Sequence, residues 1–506
     1  MLDPNDPELV IGVVGTGTMG RGIAQIAAAA GIEVRLLDVQ PGAGLAAREA
    51  VAATFDMLAA KGRMTPEAAS AAAGRLRPVA VAEELAGSDI VVEAIVEDLG
   101  AKQELFAELE GVVADDCLLA TNTSSLSVTA IAAACRAPGR VAGLHFFNPV
   151  PLMKVVEVID GALTEAWVAA ALAGLAERMG HRPVRAADTP GFIVNHAGRG
   201  FGGETLRILQ EGVTTFDEID RILREAAGFR MGPFELLDLT GLDVSHPVME
   251  SVYRGFYEEP RFRPSYLLRQ RLEAGLLGRK SGRGFYAYKD GKQEKTPAPE
   301  LPRGEMRPVW VSNIEAARRA ALVALITAAG WPLDDGEKPG AGSLCLVTPL
   351  GDDVTTAALA EGLDPARTIG VDMLFGLERR RSLMVSPATD AGSAASAAAL
   401  LSADGTAVSR LKDSPGFVAQ RVVAAIVNIA AEMAQSRIAA PADIDDAVRL
   451  GLGYPLGPLG WGDALGASNI LRILEAMLRQ TGDPRYRPSL WLTRRARLGL
   501  SLRLED

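Results

Sequence analysis

The sequence predicts an α/β domain followed by α-helical domains, an α/β + α architecture, on three observations. Short Val/Ile/Leu runs alternate with Ala-rich segments over residues 1–187, the pattern of strands and helices in a parallel sheet. A glycine-punctuated turn, Val13-Val-Gly-Thr-Gly-Thr-Met-Gly20, closes the first of those runs. Beyond Asp188 the alternation fades into long helical periodicities, and two such helical blocks repeat each other at a fixed offset.

Candidate strands cover residues 9–15, 33–38, 89–95, 117–122, 141–146, 155–159 and 183–186. Between them, residues 18–30, 42–61, 102–109 and 165–179 are rich in Ala, Leu and Glu, which favours helix. Helical segments then continue to residue 288. Residues 290–308 are polar, charged and Pro-rich and read as a linker. Short strands return at 308–311, 343–347, 368–373 and 382–385, and a second helical block runs from Asp413 to the end. The chain therefore divides into residues 1–187, residues 188–290, residues 291–412 (linker and degenerate α/β segment) and residues 413–506.

The repeat is explicit. Asp188-Thr-Pro-Gly-Phe192 matches Asp413-Ser-Pro-Gly-Phe417, Ile219 matches Ile444, Gly228 matches Gly453, Gly232-Pro233 matches Gly457-Pro458, and Asp238 matches Asp463. Each pair lies 225 residues apart. Arg261-Phe-Arg-Pro-Ser265 recurs as Arg485-Tyr-Arg-Pro-Ser489. A helical domain has been duplicated, and its copies are expected to pack together as an internal pseudo-dimer, with further homo-oligomerisation left open.

Composition narrows the function. A chain of 506 residues, 48% apolar and 23% charged, is ordinary for a globular protein of about three domains. A net charge of −11 without a basic stripe excludes nucleic acid as the expected partner. Cys117, Cys135 and Cys345 are few and far apart, suggesting neither a disulfide framework nor a metal site. The start is acidic and Pro-rich, unlike a signal peptide. The apolar run 320–331 is too short to span a bilayer. A cytoplasmic protein with no membrane contact is expected.

The glycine turn is a G-x-G-x-x-G between a strand and a helix. Gly15 permits the tight turn, Gly17 lets a pyrophosphate approach the backbone, and Gly20 lets helix and strand pack closely. Alone, such a motif also fits a plain strand–turn–helix. Here Asp38 closes the second strand, where a carboxylate accepts bonds from ribose hydroxyls and repels a 2′-phosphate. A Rossmann-like domain binding NAD is therefore expected.

Leu144-His-Phe-Phe-Asn-Pro-Val-Pro-Leu-Met-Lys-Val-Val-Glu-Val158 sets His145 and Glu157 on two adjoining strand-like runs. A lone histidine at a strand end is commonly structural. A partner carboxylate beside a nucleotide-binding sheet makes it a candidate general base, with Glu157 fixing its tautomer. Asn122-Thr-Ser-Ser125 ends another strand, as a helix cap or as hydroxyls near that base. Asn195 opens the helical region, either as a surface amide or as a donor to a carbonyl oxygen. His181, His196 and His246 lack comparable partners in sequence. His196 adjoins Asn195, which leaves it a possible place at the cleft.

These stretches, with Val91-Val-Glu-Ala-Ile-Val-Glu97, Lys102, Met231-Gly-Pro-Phe-Glu-Leu-Leu-Asp238 and Gly278-Arg-Lys-Ser-Gly-Arg-Gly-Phe-Tyr286, resemble the L-3-hydroxyacyl-CoA dehydrogenases of β-oxidation. The resemblance runs over residues 9–290. It implies that His145 is the catalytic base paired to Glu157, and that Ser124 and Asn195 bond the 3-oxygen of an acyl-CoA thioester. It implies that Glu97, Lys102, Asn148 and Lys280 contact NAD. Thr54 and Lys61 fall where the family contacts coenzyme A, in a helical hairpin of different length. The whole chain is similar to long members with a second helical domain, found in aromatic catabolism and thought to use 3-hydroxyadipyl-CoA or related thioesters. The glycines of His196-Ala-Gly-Arg-Gly-Phe-Gly-Gly203 depart from the family and cost about 1 kcal/mol each against Ala in a helix. They are expected to reshape the acyl pocket.

The second half lacks a G-x-G-x-x-G, and no histidine follows His246. Gly370-Val-Asp-Met-Leu-Phe-Gly376 stands where a second His145 segment belongs, and Gln420 replaces Asn195. One active site per chain is expected. Two other readings remain: a dehydrogenase of a small free hydroxy or sugar acid, and a catalytically inactive NAD-binding structural protein.

Overall fold

The Val/Ile/Leu runs form β1 (Val10–Val14), β2 (Glu33–Leu37), β3 (Leu76–Pro78), β4 (Ile90–Glu93), β5 (Leu118–Thr121), β6 (Val141–Phe146), β7 (Val155–Asp160) and β8 (Arg182–Ala187). They make one sheet in the order β3-β2-β1-β4-β5-β6-β7-β8. The structure is a computed structural model describing residues 2–294, 297, 300 and 304–505. Two units emerge from it: residues up to His196 with Ser436–Leu452, and Ala197–Gln435 with Gly453–Leu504.

In the first unit, α1 (Thr18–Ala29), α2 (Ala43–Ala60), α3 (Pro66–Gly74), α4 (Leu99–Val112), α5 (Val128–Ala132) and α6 (Ala166–Arg178) connect the strands. Apolar side chains fill both faces. Ile11, Val34, Val92 and Val158 lie in one core, and Val91, Phe106, Leu119 and Val141 in the other. Strand β3 escapes detection in the sequence because Arg77 and Pro78 interrupt any apolar run in its three residues. Chain direction across the sheet switches at β1, which pairs with β2 on one side and β4 on the other. In open α/β sheets such a switch point is where a ligand crevice lies, outside the carboxyl ends of the strands.

The expected parallel sheet fails at one place. β7 runs antiparallel to β6, and His145 lies opposite Glu157 in the register. Residues 147–154 are too few for a helical crossover, which takes about a dozen residues. The chain doubles back instead, and this brings the imidazole and the carboxylate together.

A remote piece of chain completes this unit. The helix Pro441–Gly451 belongs to the second helical block by sequence. Around it, Ala187 N–H donates to Ile438 O (2.8 Å), and Arg182 on β8 pairs with Asp443 (3.2 Å) and Asp446 (3.0 Å).

The second unit holds α7 (Val194–Gln210) from Ala197 onward, then α8 (Phe216–Glu225), α9 (Pro233–Thr240), α10 (Leu242–Gly255) and α11 (Tyr266–Glu273). A hairpin, β9 (Tyr288–Lys289) with β10 (Lys292–Gln293), occupies the start of the expected linker. Within that linker, residues 295–296, 298–299 and 301–303 lie outside the described residues. Next come β11 (Val309–Val311), α12 (Ala316–Ala328), β12 (Leu333–Asp334), β13 (Leu344–Val347), α13 (Val354–Ala360), β14 (Thr368–Val371), β15 (Arg381–Val385), α14 (Ala391–Leu401), β16 (Val408–Lys412) and α15 (Ala419–Gln435).

These strands form a six-stranded sheet, β12-β11-β13-β14-β15-β16. The segment is thus fuller than a remnant. It runs outward through β11–α12–β12 and returns on the other side of β11, as β1–α1–β2 does before β4. Its β14 and β15 are antiparallel, as are β6 and β7. The nucleotide fingerprint is what has gone: the β11–α12 turn reads Ser312-Asn-Ile-Glu-Ala-Ala317.

Repeated residues play repeated roles. Asp188 caps α5 by accepting from Val128 and Thr129 N–H, and Asp413 caps α13 by accepting from Val354 and Thr355 N–H. Phe192 and Phe417 share a left-handed backbone (φ 48 and 50), costly for a bulky side chain and kept in both copies. Asp238 accepts from Phe285 and Tyr286 N–H (2.8 Å each), and Asp463 accepts from Leu502 N–H (2.7 Å).

Within the second unit the two helical blocks pack on each other. A Cβ at Gly200 would lie 2.9 Å from Ile426 Cα, so α7 and α15 cross there nearly backbone to backbone. The glycines after Asn195 were expected to reshape an acyl pocket. For Gly200 the structure gives a different reason, the closeness of this crossing.

Candidate active site

The first unit gathers most of the expected residues at the carboxyl edge of its sheet. Gly15 has φ +90, and a Cβ there would sit 2.5 Å from Ala94 O. A Cβ at Gly20 would come within 1.8 Å of Gly15 O. Gly17 caps α1, and a Cβ there would meet nothing within 4 Å, leaving the helix N-terminus open to a pyrophosphate. Asp38 Oδ2 accepts from Thr16 N–H (2.7 Å) and the Thr16 hydroxyl (2.8 Å), and Oδ1 from Gln40 N–H (3.0 Å). Burial would raise the Asp38 carboxyl, but the Gln40 and Thr16 bonds outweigh it and hold it below the ordinary range. An ionised carboxylate with lone pairs to spare suits ribose hydroxyls and disfavours a 2′-phosphate. These residues fit NAD.

His145 Nδ1 lies 2.6 Å from Glu157 Oε2. Glu157 is fully buried, and its other oxygen accepts from Ile193 N–H (2.9 Å) and Val194 N–H (2.8 Å). The left-handed turn at Gly191 and Phe192 delivers those two donors. A carboxylate only accepts, so Nδ1 carries the proton and Nε2 the lone pair. The Phe147 and Phe192 rings pack at 4.4 and 5.8 Å from the imidazole.

Ser124 lies in a loop gathered by Glu97. Glu97 Oε1 accepts from the Thr123 hydroxyl (2.8 Å), Ser124 N–H (2.8 Å), the Ser124 hydroxyl (3.2 Å), Ser125 N–H (2.9 Å) and the Ser125 hydroxyl (3.0 Å). One oxygen cannot bind five donors well at once. The Ser124 hydroxyl, the longest of the five, is the readiest to turn to another acceptor. Asn195 Nδ2 reaches Ser124 O at 3.4 Å, and the Asn122 side chain accepts from Phe146 N–H (2.8 Å), tying this loop to the His145 strand.

Lys102 is buried. Its ammonium lies 2.5 Å from Glu93 and 3.4 Å from Glu97. Glu93, at the end of β4, also accepts from Ile95 N–H and the Thr121 hydroxyl (2.7 Å each). Sequence reasoning gave no role to Glu93 or Thr121. The one signal was a carboxylate closing an apolar strand.

The other expected residues lie outside this hydrogen-bonded cluster. Asn148 is exposed, just after β6. Thr54, on α2, donates its hydroxyl to Ala50 O (2.9 Å), and the exposed Lys61 caps the same helix. Lys280 belongs to the second unit, where it pairs with Asp243 (2.5 Å). His181 bonds Val150 O (2.9 Å) and Met179 O (3.1 Å), a structural role.

In the second sheet the register Gly370↔Met384, Val371↔Leu383 parallels Gly143↔Ile159, Leu144↔Val158. The next position holds Asp372 for His145, and Asp372 N–H donates to Ser382 O, with Ser382 in place of Glu157. Gln420 Nε2 donates to Asp372 Oδ1 (3.0 Å). Burial pushes the Asp372 carboxyl upward against the bonds from Gln420 and Leu374. No imidazole stands there.

Glu97 yields a test. Burial would raise its carboxyl, but Thr123, the Lys102 charge, Ser124 and Ser125 outweigh it and bring it below its ordinary 4.5. The resulting stability is fully present above that value and fades as pH falls through the lowered one. Tm measured from pH 6 to 3 is therefore expected to fall more steeply for the native chain than for Glu97→Gln. Parallel curves would refute the assignment.

The fold and this edge define an NAD-dependent oxidoreductase. Residues 10–189 match the family described as "3-hydroxyacyl-CoA dehydrogenase, NAD binding domain", and residues 191–288 and 416–503 match its "C-terminal domain". The chain belongs to the 3-hydroxyacyl-CoA dehydrogenase family. It is 38% identical to the 3-hydroxyadipyl-CoA dehydrogenase of Escherichia coli, over 96% of this chain and 97% of that protein. Its first half is 41% identical to a probable 3-hydroxybutyryl-CoA dehydrogenase of Bacillus subtilis, over 55% of this chain and 96% of the relative. The crystal structure of an Escherichia coli 3-hydroxybutyryl-CoA dehydrogenase superposes with a TM-score of 0.84 at 36% identity, covering 97% of this chain and 98% of that one. Among the described residues no helix is long and apolar enough to cross a membrane, and no cluster of metal-ligating side chains occurs.

Proposed function

We propose that the chain oxidises a 3-hydroxyacyl-CoA reversibly to the 3-oxo thioester, with His145 as general base. The observation carrying this reading is the imidazole whose Nδ1 is held by a buried carboxylate, itself held by two backbone N–H groups. With Nδ1 occupied, Nε2 removes the hydroxyl proton, and Glu157 stabilises the imidazolium that forms. Ser124 and Asn195 donate to the 3-oxygen. When bound, NAD supplies the hydride acceptor. Gly15, Gly17, Gly20 and Asp38 would hold it, with the exposed Glu97 and Asn148 as further contacts, whereas Lys102, 1% exposed and held between Glu93 and Glu97, would act through Glu97. For Lys280 toward NAD, and for Thr54 and Lys61 toward coenzyme A, the support is the resemblance alone.

Likeness over both halves to a 3-hydroxyadipyl-CoA dehydrogenase favours a dicarboxylyl chain on the thioester. The second unit, with Asp372 for the histidine, leaves one active site per chain. The enzyme would work in the cytoplasm, without nucleic acid or membrane, its paired helical blocks acting as an internal pseudo-dimer. The test is NADH formation from 3-hydroxyadipyl-CoA, 3-hydroxybutyryl-CoA and free 3-hydroxybutyrate. The thioesters are expected to exceed the free acid by about 100-fold or more in kcat/KM, because binding energy from the remote carrier assists the chemical step. Equal turnover of the free acid would overturn the thioester reading. A preference for the butyryl over the adipyl thioester would overturn the dicarboxylyl one.

A further inference from the structure

The Glu93–Lys102 pair is unusual for its place. Glu93 is fully buried and Lys102 is 1% exposed, among apolar neighbours such as Val91, Val92, Leu119 and Ala120. Desolvating such a pair generally stabilises a fold no better than apolar side chains of the same volume. A pair kept there is better explained by the geometry it enforces. Glu93 ends β4 level with Val14 on β1 and Thr121 on β5, between the nucleotide turn and the strand that leads to Ser124. Its two oxygens are both used: one by Lys102 and Ile95 N–H, the other by the Thr121 hydroxyl.

We propose that Glu93 is a positioning residue for hydride transfer, acting through Lys102 and Glu97 on Ser124. Glu93 fixes the ammonium one turn into α4. The ammonium lies 3.4 Å from Glu97 Oε2 and holds that half-exposed carboxylate over the loop. Glu97 Oε1 gathers the donors of Thr123, Ser124 and Ser125. Without Glu93, Lys102 is left buried beside a single, partly solvated carboxylate. Glu97 then loses its fixed direction, and Ser124 its place. The proposal rests on the reading of Ser124 as a donor to the substrate's 3-oxygen.

The test compares Glu93→Gln with the double variant Glu93→Gln/Lys102→Met, read by Tm and by steady-state kinetics on 3-hydroxybutyryl-CoA. Glu93→Gln is expected to lower Tm and to lower kcat by about 10- to 100-fold, the range for a slightly displaced catalytic group, an effect larger than any accompanying rise in KM for NAD through Glu97. The double variant leaves no unpaired buried charge, so Tm should recover while kcat stays low. Recovery of kcat along with Tm would make the pair merely structural and overturn the proposal. A raised KM for NAD at unchanged kcat would also overturn it, assigning the network to the cofactor. If Glu93→Gln fails to fold, the double variant carries the comparison. Ser124→Ala, measured in parallel, separates the two readings: unaltered kcat there sinks the role of Ser124, whereas unaltered kcat in the Glu93 variants sinks only the role of Glu93.

Discussion

Replacing His145 with Gln is expected to lower kcat by about 1000-fold, within the range for losing a general acid–base group and equivalent to about 4 kcal/mol of transition-state stabilisation. The amide of Gln can still donate to Glu157, which stays anchored by Ile193 and Val194 N–H. The strand pairing around it does not depend on the imidazole. The variant should therefore fold with a Tm near that of the native chain, and KM for the thioester should move little, since the lost interaction acts on the transferring proton. Steady-state NADH formation on 3-hydroxybutyryl-CoA measures it. Near-normal rates would end the assignment of His145 as base.

The second large effect falls on stability. Arg421, on α15, is 2% exposed and bonds Glu204 on α7, Glu211 (2.6 and 3.0 Å) and the Tyr486 hydroxyl (3.0 Å). Tyr486 in turn donates to Glu204 (2.7 Å). Burial alone would lower the guanidinium pKa; Glu204, Tyr486 and Glu211 reverse that and raise it, so the charge is firmly held. Arg421→Met takes the nearest cation from the buried Glu204 carboxylate at the contact between the two helical blocks, leaving it the Tyr486 hydroxyl and the more distant Arg485 (3.8 Å). Breaking one side of a buried ion pair costs about 3–5 kcal/mol. Denaturant unfolding should show that loss. A change below about 1 kcal/mol, as for exposed pairs, would mean that the blocks do not depend on this network.

Much of the architecture was legible because its signals are local. The β1–α1 turn announces itself through three glycines at fixed spacing, each with its own steric reason. Most strands of the first sheet stand out because a strand covered on both faces reads as an apolar run. Among the elements the sequence did not show are strands that a neighbour supports: β3 with Arg77 and Pro78, the two-residue β12, and β16, where Ser409, Arg410 and Lys412 break the run. The helix Pro441–Gly451 belongs by sequence to the second block, yet it folds with the first unit. Nothing in its own residues says which sheet it will cover.

The candidate site divides in the same way. His145, Glu157, Ser124 and Asn195 could be named from residue type and family resemblance. Glu93 could not, because a carboxylate closing an apolar strand gives no hint of the lysine that will meet it. Gly200 is legible only in part for the same reason. A glycine in a helix signals close approach, and only the packing says what approaches.

By itself, then, the sequence determined the nucleotide-binding turn, the imidazole and its carboxylate, the duplication and the loss of the histidine from the second copy. Covalent spacing and side-chain chemistry carry that information without reference to distant residues. Only the tertiary structure decided that β7 turns back against β6, that Lys102 is buried by Glu93, that Asp372 and Gln420 meet where a second base would stand, and that α7 and α15 cross at Gly200. Each depends on which surfaces exclude water together, and chain order does not fix that.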